Sequence, residues 1–210
     1  MIDYTLYGIT DTVESGESLE EWVEQAIQGG VTIIQLREKN LTGPEKRQEA
    51  LAVQRVCRQY KIPFIINDDV MLAKEIGADG VHLGQSDMEI GRARKLLGEQ
   101  AIIGITAKTV EQARTAEAAG ATYLGSGAVF ATSTKPDAKP MDLDTLDAIC
   151  DSVSIPVVAI GGIDRDNLLQ LKGRHMQGFA VVGAIFHQQD IVSASRELKK
   201  LAEEALEISR

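Results

Sequence analysis

Short apolar runs rich in valine and isoleucine alternate along the chain with longer segments in which apolar residues recur at helical spacing. The runs, which we predict to be strands, cover residues 5–10, 32–37, 64–68, 80–84, 102–107, 123–129, 156–161 and 179–185. The longer segments, which we predict to be helices, cover residues 19–28, 44–60, 70–76, 90–97, 110–119, 143–151, 165–172 and 191–208. Near-continuous apolar strands are typical of a parallel sheet that is buried on both faces. Eight strands, each followed by a helix, predict a (β/α)8 TIM barrel, whose active site lies at the carboxyl ends of the strands.

The junctions between these segments agree with a barrel. Several glycines lie between a predicted helix and the next strand, where helices commonly end on a left-handed residue. These glycines are Gly29, Gly30, Gly77, Gly120 and Gly178. No linker or charge block interrupts the chain, so we expect one barrel domain over residues 1–210. A doubly wound open sheet is the alternative that the same alternation permits.

Composition narrows the classes of function. The chain has 210 residues, of which 44% are hydrophobic and 25% charged, which is ordinary for a globular protein. Its net charge of −9 argues against non-specific binding to nucleic acid or to an anionic membrane. The N-terminal segment lacks the features of a signal peptide, and no window reaches membrane-spanning length. Cys57 and Cys150 have no CxxC motif or histidine partner, so we expect buried free thiols and a cytoplasmic protein.

One polar segment, residues 130–141, cannot contribute to a packed core. It reads FATSTKPDAKPM, and connections of this length in a compact domain are usually lids, binding loops or disordered. Three small hydroxyl residues and a lysine within it suit a phosphate group. They are Thr132, Ser133, Thr134 and Lys135. We predict a flap that closes over a phosphorylated substrate, with a solvated surface loop as the alternative.

Cationic and amide side chains follow the second predicted strand. Because side chains alternate along a strand, Gln35, Arg37 and Lys39 share one side and Leu36 faces the other. Two cations and an amide in register form a good anion clamp, since arginine can bind two oxygens at once. A strand end in which Glu38 forms salt bridges with these cations is the alternative.

Carboxylates follow the third and fourth predicted strands. Asn67 and Asp68 come directly after an apolar FII segment, and Asp69 precedes a helix that we expect it to cap. Neighbouring strands lie about 4.8 Å apart, so Asp68 and Asp87 can converge on one ion. Two carboxylates, phosphate oxygens and water are what Mg²⁺ typically accepts. A helix cap is the alternative role of Asp87, and we interpret His82, in the middle of a strand, as a hydrogen-bonded structural histidine.

Glycines at the ends of the seventh and eighth strands suit a second anion. Gly162 and Gly183 allow a phosphate to approach main-chain N–H groups closely, and TIM barrels often bind phosphate there. Tight turns without a ligand are the alternative. Thr106 adds a hydroxyl at the end of the fifth strand, which is a weak signal alone. The sequence predicts two anion sites in one mouth, and it has no pattern that indicates a covalent nucleophile.

Five motifs, in order and at matching spacing, resemble the thiamine-phosphate synthase family over essentially the full length. They are QLREKN at 35–40, FIINDD at 64–69, GADGVHLGQSDM at 77–88, TSTKPDA at 132–138 and IPVVAIGGI at 155–163. The resemblance implies a (β/α)8 transferase that uses two anionic substrates and Mg²⁺. It would join 4-amino-2-methyl-5-hydroxymethylpyrimidine diphosphate to 4-methyl-5-(2-hydroxyethyl)thiazole phosphate, or its carboxylated form, and release diphosphate. It also implies a dissociative reaction, in which diphosphate leaves before the thiazole nitrogen captures the methylene cation.

The resemblance also implies roles for individual residues. Asp68 and Asp87 would hold Mg²⁺, and the catalytic cations that stabilise the departing charge would be Arg37, Lys39 and Lys135. The pyrimidine diphosphate would be bound by Gln35, Leu36, Arg37, Glu38, Lys39, Asn67, Thr106 and Lys135. The thiazole phosphate would be bound by Thr132, Ser133, Thr134, Gly162, Val182 and Gly183.

Four positions depart from the family's pattern. The family often has serine where this chain has Thr106 and Gly183, and proline where it has Ala128 and Ala131. Thr106 keeps its hydroxyl, whereas Gly183 loses one, so we expect the thiazole phosphate to depend more on main-chain donors. We expect the two missing prolines to leave the flap more flexible.

Two other functions are alternatives. The thiazole tautomerases share the barrel and the GGI segment, but they generally lack the NDD segment and the paired aspartates that this chain has. A non-catalytic sensor of a phosphorylated ligand would not require a metal pair beside a diphosphate clamp. Release of diphosphate only when both substrates and Mg²⁺ are present separates the three functions.

Overall fold

The strands close into a barrel in the computed structural model, which describes residues 2–11, 18–132 and 140–207. All eight strands are parallel and follow the order of the sequence, and the last pairs with the first. They are β1 (Leu6–Ile9), β2 (Ile33–Leu36), β3 (Phe64–Asn67), β4 (Gly80–Leu83), β5 (Ile102–Thr106), β6 (Tyr123–Gly127), β7 (Val157–Ile160) and β8 (Gly178–Val181). The predicted TIM barrel is confirmed, and closure excludes the open sheet.

Helices follow the strands on the outside of the barrel. In the described part of the chain they are α1 (Leu19–Gln28), α2 (Gly43–Tyr60), α3 (Val70–Ile76), α4 (Ile90–Leu97), α5 (Val110–Ala118), α6 (Leu143–Ser152), α7 (Gly183–Phe186) and α8 (Ile191–Ala205). A 3₁₀ helix, Leu168–Leu171, lies between β7 and β8. Asp69 caps α3 as predicted, because its Oδ1 accepts a hydrogen bond from the N–H of Leu72 at 2.9 Å.

Two apolar layers stabilise the barrel. An outer layer between strands and helices includes Ile34, Leu36 and Ile66, all 1% exposed or less. An inner layer fills the barrel with Tyr4, Tyr7, Ile9, Ile33, Ile65, Ile102, Tyr123, Val158 and Ala180. Because both faces of each strand are buried, the strands read as continuous apolar runs. Each fully buried valine, leucine or isoleucine among them contributes about 1.5–3 kcal/mol to the free energy of unfolding.

The helix predicted over residues 165–172 is wrong in length and type. The chain forms only the 3₁₀ helix Leu168–Leu171 there. Asp164 Oδ1 accepts hydrogen bonds from the N–H groups of Asp166 and Asn167, at 2.9 and 3.1 Å. Side chains that bind nearby N–H groups compete with the hydrogen bonds of an α-helix, so the regular helix does not form here.

The predicted eighth strand, residues 179–185, is also wrong at both ends. Gly178 is the first residue of β8 rather than a helix cap, and the strand ends at Val181. The N–H groups of Ile185 and Phe186 donate back to the carbonyl of Val182, which forms α7. One apolar run continues through strand and helix, and hydropathy alone cannot locate a boundary inside such a run.

The remaining fold predictions concern thiols and membrane spans. Cys57 and Cys150 are buried free thiols, as predicted, and burial raises the pKa of each to about 12. No helix in the described residues has the length and apolar character needed to cross a membrane. Residue 208, the predicted end of the last helix, lies outside the described residues.

Candidate active site

A cavity of about 540 Å³ opens at the carboxyl ends of the strands and reaches down to the inner layer of the barrel. Eight of the predicted site residues line it together. They are Gln35, Arg37, Asn67, Thr106, Thr132, Gly162, Val182 and Gly183. These residues come from distant parts of the sequence, and closure of the barrel brings them to one mouth.

Five predicted residues in the described part of the chain do not line the cavity: Leu36, Glu38 and Lys39 at and after the end of β2, and Asp68 and Asp87, which follow β3 and β4. Leu36 packs in the outer layer and is 1% exposed, so its side chain is not available to a ligand. Glu38 is buried, and its Oε1 accepts hydrogen bonds from the N–H groups of Asn40 and Leu41 at 2.5 and 3.3 Å. Lys39 is exposed to solvent. The predicted alternation extends to Arg37 and not to Lys39, because β2 ends at Leu36 and the chain then turns.

Arg37 is held at the cavity by the end of β1. Its N–H donates to Thr10 Oγ1 at 3.0 Å, and its Nη1 lies 3.6 Å from Asp11 Oδ1. Asp11 Oδ2 in turn lies 3.3 Å from Nε2 of His187, which follows α7 and also lines the cavity. The guanidinium is therefore oriented by neighbouring strand ends before any ligand arrives.

The two carboxylates predicted to hold a metal come together at the ends of β3 and β4. Asp68 has a φ of 63°, a left-handed conformation that aspartate tolerates, and its N–H donates to the carbonyl of His82 at 2.9 Å. Asn67 Nδ2 donates to Asp68 Oδ2 at 2.7 Å. Asp87 Oδ2 accepts from the N–H of Gly84 at 2.6 Å, and its carboxyl group is within hydrogen-bonding reach of Asp68.

The electrostatics of this pair suit a divalent cation. Although Asp68 is at the rim, partial burial of its carboxyl group and the neighbouring Asp87 raise the pKa of Asp68, which Asn67 and Arg37 lower only in part. Carboxylate oxygens are the ligands that Mg²⁺ prefers. No group of three histidine, cysteine or acidic side chains suited to a metal occurs within the described residues. The chain would thus supply two carboxylates and leave further positions to phosphate oxygens and water.

Asp87 does not take its alternative role as a helix cap. The residue at the N-cap position of α4 is Glu89. Asp87 instead closes the turn after β4 through the N–H of Gly84, and this bond directs its carboxyl group toward β3.

The wall opposite the carboxylates depends on Gly162. This residue has a φ of +65°, and a Cβ there would lie 2.2 Å from the carbonyl oxygen of Ala131. The N–H of Phe130 donates to the carbonyl of Gly161 at 3.0 Å, and Asn167 Nδ2 donates to the carbonyl of Gly162 at 2.7 Å. Only glycine satisfies both the backbone angle and the close approach, which bring Thr132 beside the end of β7.

Gly183 makes room for a histidine. A Cβ at this position would lie 2.7 Å from Nδ1 of His187. A larger residue at position 183 would therefore meet His187, which lines the same cavity.

The centre of the predicted flap lies outside the described residues. Three predicted ligand contacts fall there: Ser133, Thr134 and Lys135. The described ends of the segment meet, because the N–H of Met141 donates to the carbonyl of Ala128 at 2.6 Å.

Several cavity residues escaped the sequence predictions: Tyr7, Lys108, Tyr123 and His187. The tyrosines lie inside apolar strands, and only the strand register decides that they face the cavity. Lys108 lies two residues after Thr106, the last residue of β5. This closeness to a strand end was the one signal in the sequence that could have indicated its place at the cavity.

His82 has the predicted structural hydrogen bonds and also lines the cavity. Its Nδ1 lies 2.9 Å from Tyr123 Oη, and its Nε2 lies 3.0 Å from Thr106 Oγ1. Burial in the barrel lowers the pKa of His82 to about 4, so the ring is neutral near neutral pH.

Fold and site together define a (β/α)8-barrel enzyme. Its cavity carries cationic, amide and hydroxyl groups beside a pair of carboxylates, all at the carboxyl ends of the strands.

Comparisons with known proteins identify the family. A family model described as thiamine monophosphate synthase matches residues 6–185. The thiamine-phosphate synthase of Ruminiclostridium cellulolyticum is 48% identical over 201 residues, which cover 95% of this chain and 96% of the relative. That of Campylobacter jejuni subsp. jejuni is 47% identical over 208 residues, with coverage of 99% and 98%. The solved thiamine phosphate pyrophosphorylase from Pyrococcus furiosus has a TM-score of 0.88 and 38% identity, and covers 98% of each chain.

The chain therefore belongs to the thiamine monophosphate synthase family. It is a transferase of the thiamine-phosphate synthase class, which places it in thiamine biosynthesis.

Proposed function

We propose that this enzyme couples the pyrimidine diphosphate to the thiazole phosphate, or to its carboxylated form, and releases diphosphate in a dissociative substitution assisted by Mg²⁺. The observation that carries the proposal is the convergence of Asp68 and Asp87 near Arg37, which lines the cavity. Each of the three lies at a position that the family motifs mark for the diphosphate or its metal.

The diphosphate group is assigned to the β2–β5 side of the cavity. Arg37, Asn67 and Thr106 line that side, and Lys39 and Lys135 are the further cations of the proposal. Mg²⁺ bound by Asp68 and Asp87 would neutralise part of the charge on the leaving diphosphate. The fixed guanidinium of Arg37 adds charge stabilisation in the same place, with little reorganisation because Asp11 already orients it.

The thiazole phosphate is assigned to the β6–β8 side. Gly162, Val182 and Gly183 line that side with Thr132, and Ser133 and Thr134 complete the proposed set. Glycines there expose main-chain N–H groups to a phosphate. The two anions would then occupy opposite walls, with the reacting atoms between them.

The proposed chemistry requires no base. The bond between the methylene carbon and the diphosphate oxygen breaks, and the oxygen keeps the electron pair. The lone pair of the thiazole nitrogen then forms the new carbon–nitrogen bond. Apolar walls from Ile9, Val158, Ile160 and Ala180 exclude water that would otherwise capture the cation.

The metal assignment is tested by Asp68→Ala and Asp87→Ala, with Asp144→Ala on α6 as the control. Loss of a residue that hydrogen-bonds to a metal ligand typically lowers metal affinity or activity about 10–100-fold. We therefore expect loss of a ligand itself to lower kcat/KM at least about 100-fold. Asp144→Ala should retain activity, and all three variants should keep the far-UV circular dichroism of the parent. Near-normal activity at low Mg²⁺ in both site variants would refute the assignment.

The reaction itself is tested by incubating the enzyme with each substrate alone and with both. Release of diphosphate should require both substrates and Mg²⁺. Conversion of the thiazole alone would indicate a tautomerase instead, and binding without turnover would indicate a sensor.

A further inference from the structure

A line of hydrogen bonds crosses the floor of the cavity and joins side chains of five strands. Gln35 Nε2 donates to Tyr7 Oη at 2.8 Å, and Tyr7 Oη lies 2.7 Å from Tyr123 Oη. The Tyr123 hydroxyl lies 2.9 Å from Nδ1 of His82, whose Nε2 lies 3.0 Å from Thr106 Oγ1. These five side chains all line the cavity, and the line ends at a hydroxyl in its mouth.

Two glycines, Gly104 and Gly125, leave space for the rings of Tyr123 and His82 in this line of hydrogen bonds. A Cβ at Gly104 would lie 2.4 Å from Tyr123 Oη, and a Cβ at Gly125 would lie 2.9 Å from Cε1 of His82. Glycine inside a strand is otherwise unfavourable. Here β5 and β6 lack side chains at the points where the two rings cross them, so the rings can reach their partners.

The first bond of the line and the burial of its hydroxyls set its direction. An amide nitrogen only donates, so Tyr7 accepts from Gln35. Tyr7 is 1% exposed and, within the described residues, Tyr123 is the one other partner of its hydroxyl, so Tyr7 gives its own proton to Tyr123. Tyr123 then gives its proton to Nδ1 of His82. A neutral imidazole carries one proton, so when Nδ1 accepts, that proton is on Nε2 and is donated to Thr106 Oγ1.

We propose that this line of hydrogen bonds fixes the Thr106 hydroxyl as a donor directed into the cavity, and that Tyr7, Tyr123 and His82 are positioning residues acting through it. In this arrangement Thr106 Oγ1 accepts the Nε2 proton, and its own proton has no acceptor among the described residues, so it is available to a ligand. A hydroxyl without this constraint can equally well accept.

The constraint suits a ligand atom that becomes more negative during the reaction. On the proposed function, on which this step rests, that atom is an oxygen of the departing diphosphate. The hydrogen bond from a donor that is oriented in advance strengthens as the negative charge develops, and the donor does not need to rotate first. We therefore expect the line to act on kcat rather than on binding of the thiazole phosphate.

The direction of the line is tested by the ¹⁵N chemical shifts of His82, which require no substrate. The chain has three histidines, so His175→Gln and His187→Gln assign the remaining signals. We expect a proton on Nε2 and none on Nδ1 at about pH 8, where an ordinary histidine is neutral. A proton on Nδ1, a mixture of tautomers or a charged ring would overturn the proposal.

The positioning role is tested by Tyr7→Phe, with Tyr4→Phe as a matched control. Tyr4 packs against Tyr123 at 5.1 Å between ring centroids, but its hydroxyl has no hydrogen-bond partner in the described part of the chain. Tyr7→Phe should give a mixture of His82 tautomers and lower kcat about five- to tenfold, the value of one hydrogen bond. Tyr4→Phe should change neither. Equal losses of kcat, or an unchanged tautomer in Tyr7→Phe, would contradict the role.

The end of the line is tested by Thr106→Ser and Thr106→Val. Serine restores the donor and should keep kcat within about twofold, whereas valine should lose about five- to tenfold. Equal activity of the two variants would contradict the role of the hydroxyl. If the tautomer is as expected but no diphosphate is released, the proposed function is wrong. The proposed direction of the hydrogen bonds is then still supported.

Discussion

Lys108 brings a positive charge to the mouth of the cavity at a position that the family motifs do not include. It is exposed, lines the cavity beside Thr106 and faces the same space as Arg37. The whole chain carries a net charge of −9, so an anionic substrate approaches through a repulsive field. A local cation at the entrance is what offsets this repulsion.

Lys108→Gln should therefore raise KM for the diphosphate substrate about fivefold, corresponding to about 1 kcal/mol, and the effect should shrink at high ionic strength. The control is Lys200→Gln, which removes the same charge from the exposed face of α8. Steady-state kinetics at two salt concentrations measure both variants. Equal changes in the two would mean that only net charge matters.

His175 forms an exposed pair with Asp151 at the opposite end of the barrel from the cavity. Its Nδ1 lies 2.5 Å from Asp151 Oδ1, and the hydrogen bond and charge of Asp151 raise the pKa of His175. A histidine with a raised pKa in the folded state contributes stability below its unfolded pKa. That contribution disappears as the pH rises through the raised value.

We expect Asp151→Asn to lower the pKa of His175 in an NMR titration. In the parent protein, the free energy of unfolding should decrease slightly as the pH rises through the range in which His175 titrates. In Asp151→Asn this decrease should be absent. The imidazole signals of His82 serve as an internal control, since they belong to the barrel interior. An unchanged His175 titration would show that the pair does not persist in solution.

Among the secondary-structure elements, the segment after β6 is the one whose position most affects the site. Residues 128–132 lie against the end of β7, and Gly162 permits the contact. The segment carries Thr132 into the cavity wall and leads into the predicted flap. A main-chain contact between two loops, rather than a side chain, thus sets this wall.

Gly162→Ala should disrupt this wall. The change adds a methyl group 2.2 Å from the Ala131 carbonyl oxygen, in a residue with a φ of +65°. The control is Gly173→Ala, where φ is +77° and no atom lies within 4 Å of the added Cβ. Gly173→Ala should cost only the left-handed backbone term of about 1–2 kcal/mol, and Gly162→Ala about 1–3 kcal/mol more. Urea unfolding measures this, and equal costs would show that the segment shifts freely.

At the scale of the whole molecule, closure of the barrel couples the site to global stability. The proposed metal pair, Asp68 and Asp87, follows β3 and β4, and the cavity draws on strands from both sides of the β1–β8 seam. Unfolding of the barrel therefore destroys the site, so a ligand of the folded state should raise the midpoint temperature of unfolding.

Mg²⁺ with inorganic diphosphate should stabilise the enzyme by about 2.7 kcal/mol at about 100 times the dissociation constant. Asp68→Ala should abolish this shift, and Asp144→Ala should keep it. Differential scanning calorimetry at fixed ionic strength measures the shift. A shift that persists in Asp68→Ala would place the ligand elsewhere.

The sequence determined the elements and the polar groups at strand ends. Apolar runs marked all eight strands because each is buried on both faces, and the polar residues that follow a run cannot belong to the core. The approximate positions of Arg37, Asn67, Asp68 and Asp87 follow from this pattern. It failed after β7, where Asp164 and Asn167 redirect the backbone and where one apolar run contains both a strand and a helix.

The tertiary structure alone decided which side chains meet. Tyr7 and Tyr123 are 116 residues apart, and their hydroxyls touch only because the barrel closes with one particular register. Lys39 is exposed and does not line the cavity, because β2 ends at Leu36, although the alternation of the sequence includes it. The hydropathy pattern predicts whether a residue is buried, because burial follows from the local sequence. Direction and partners depend on closure and register, which are properties of the whole sheet.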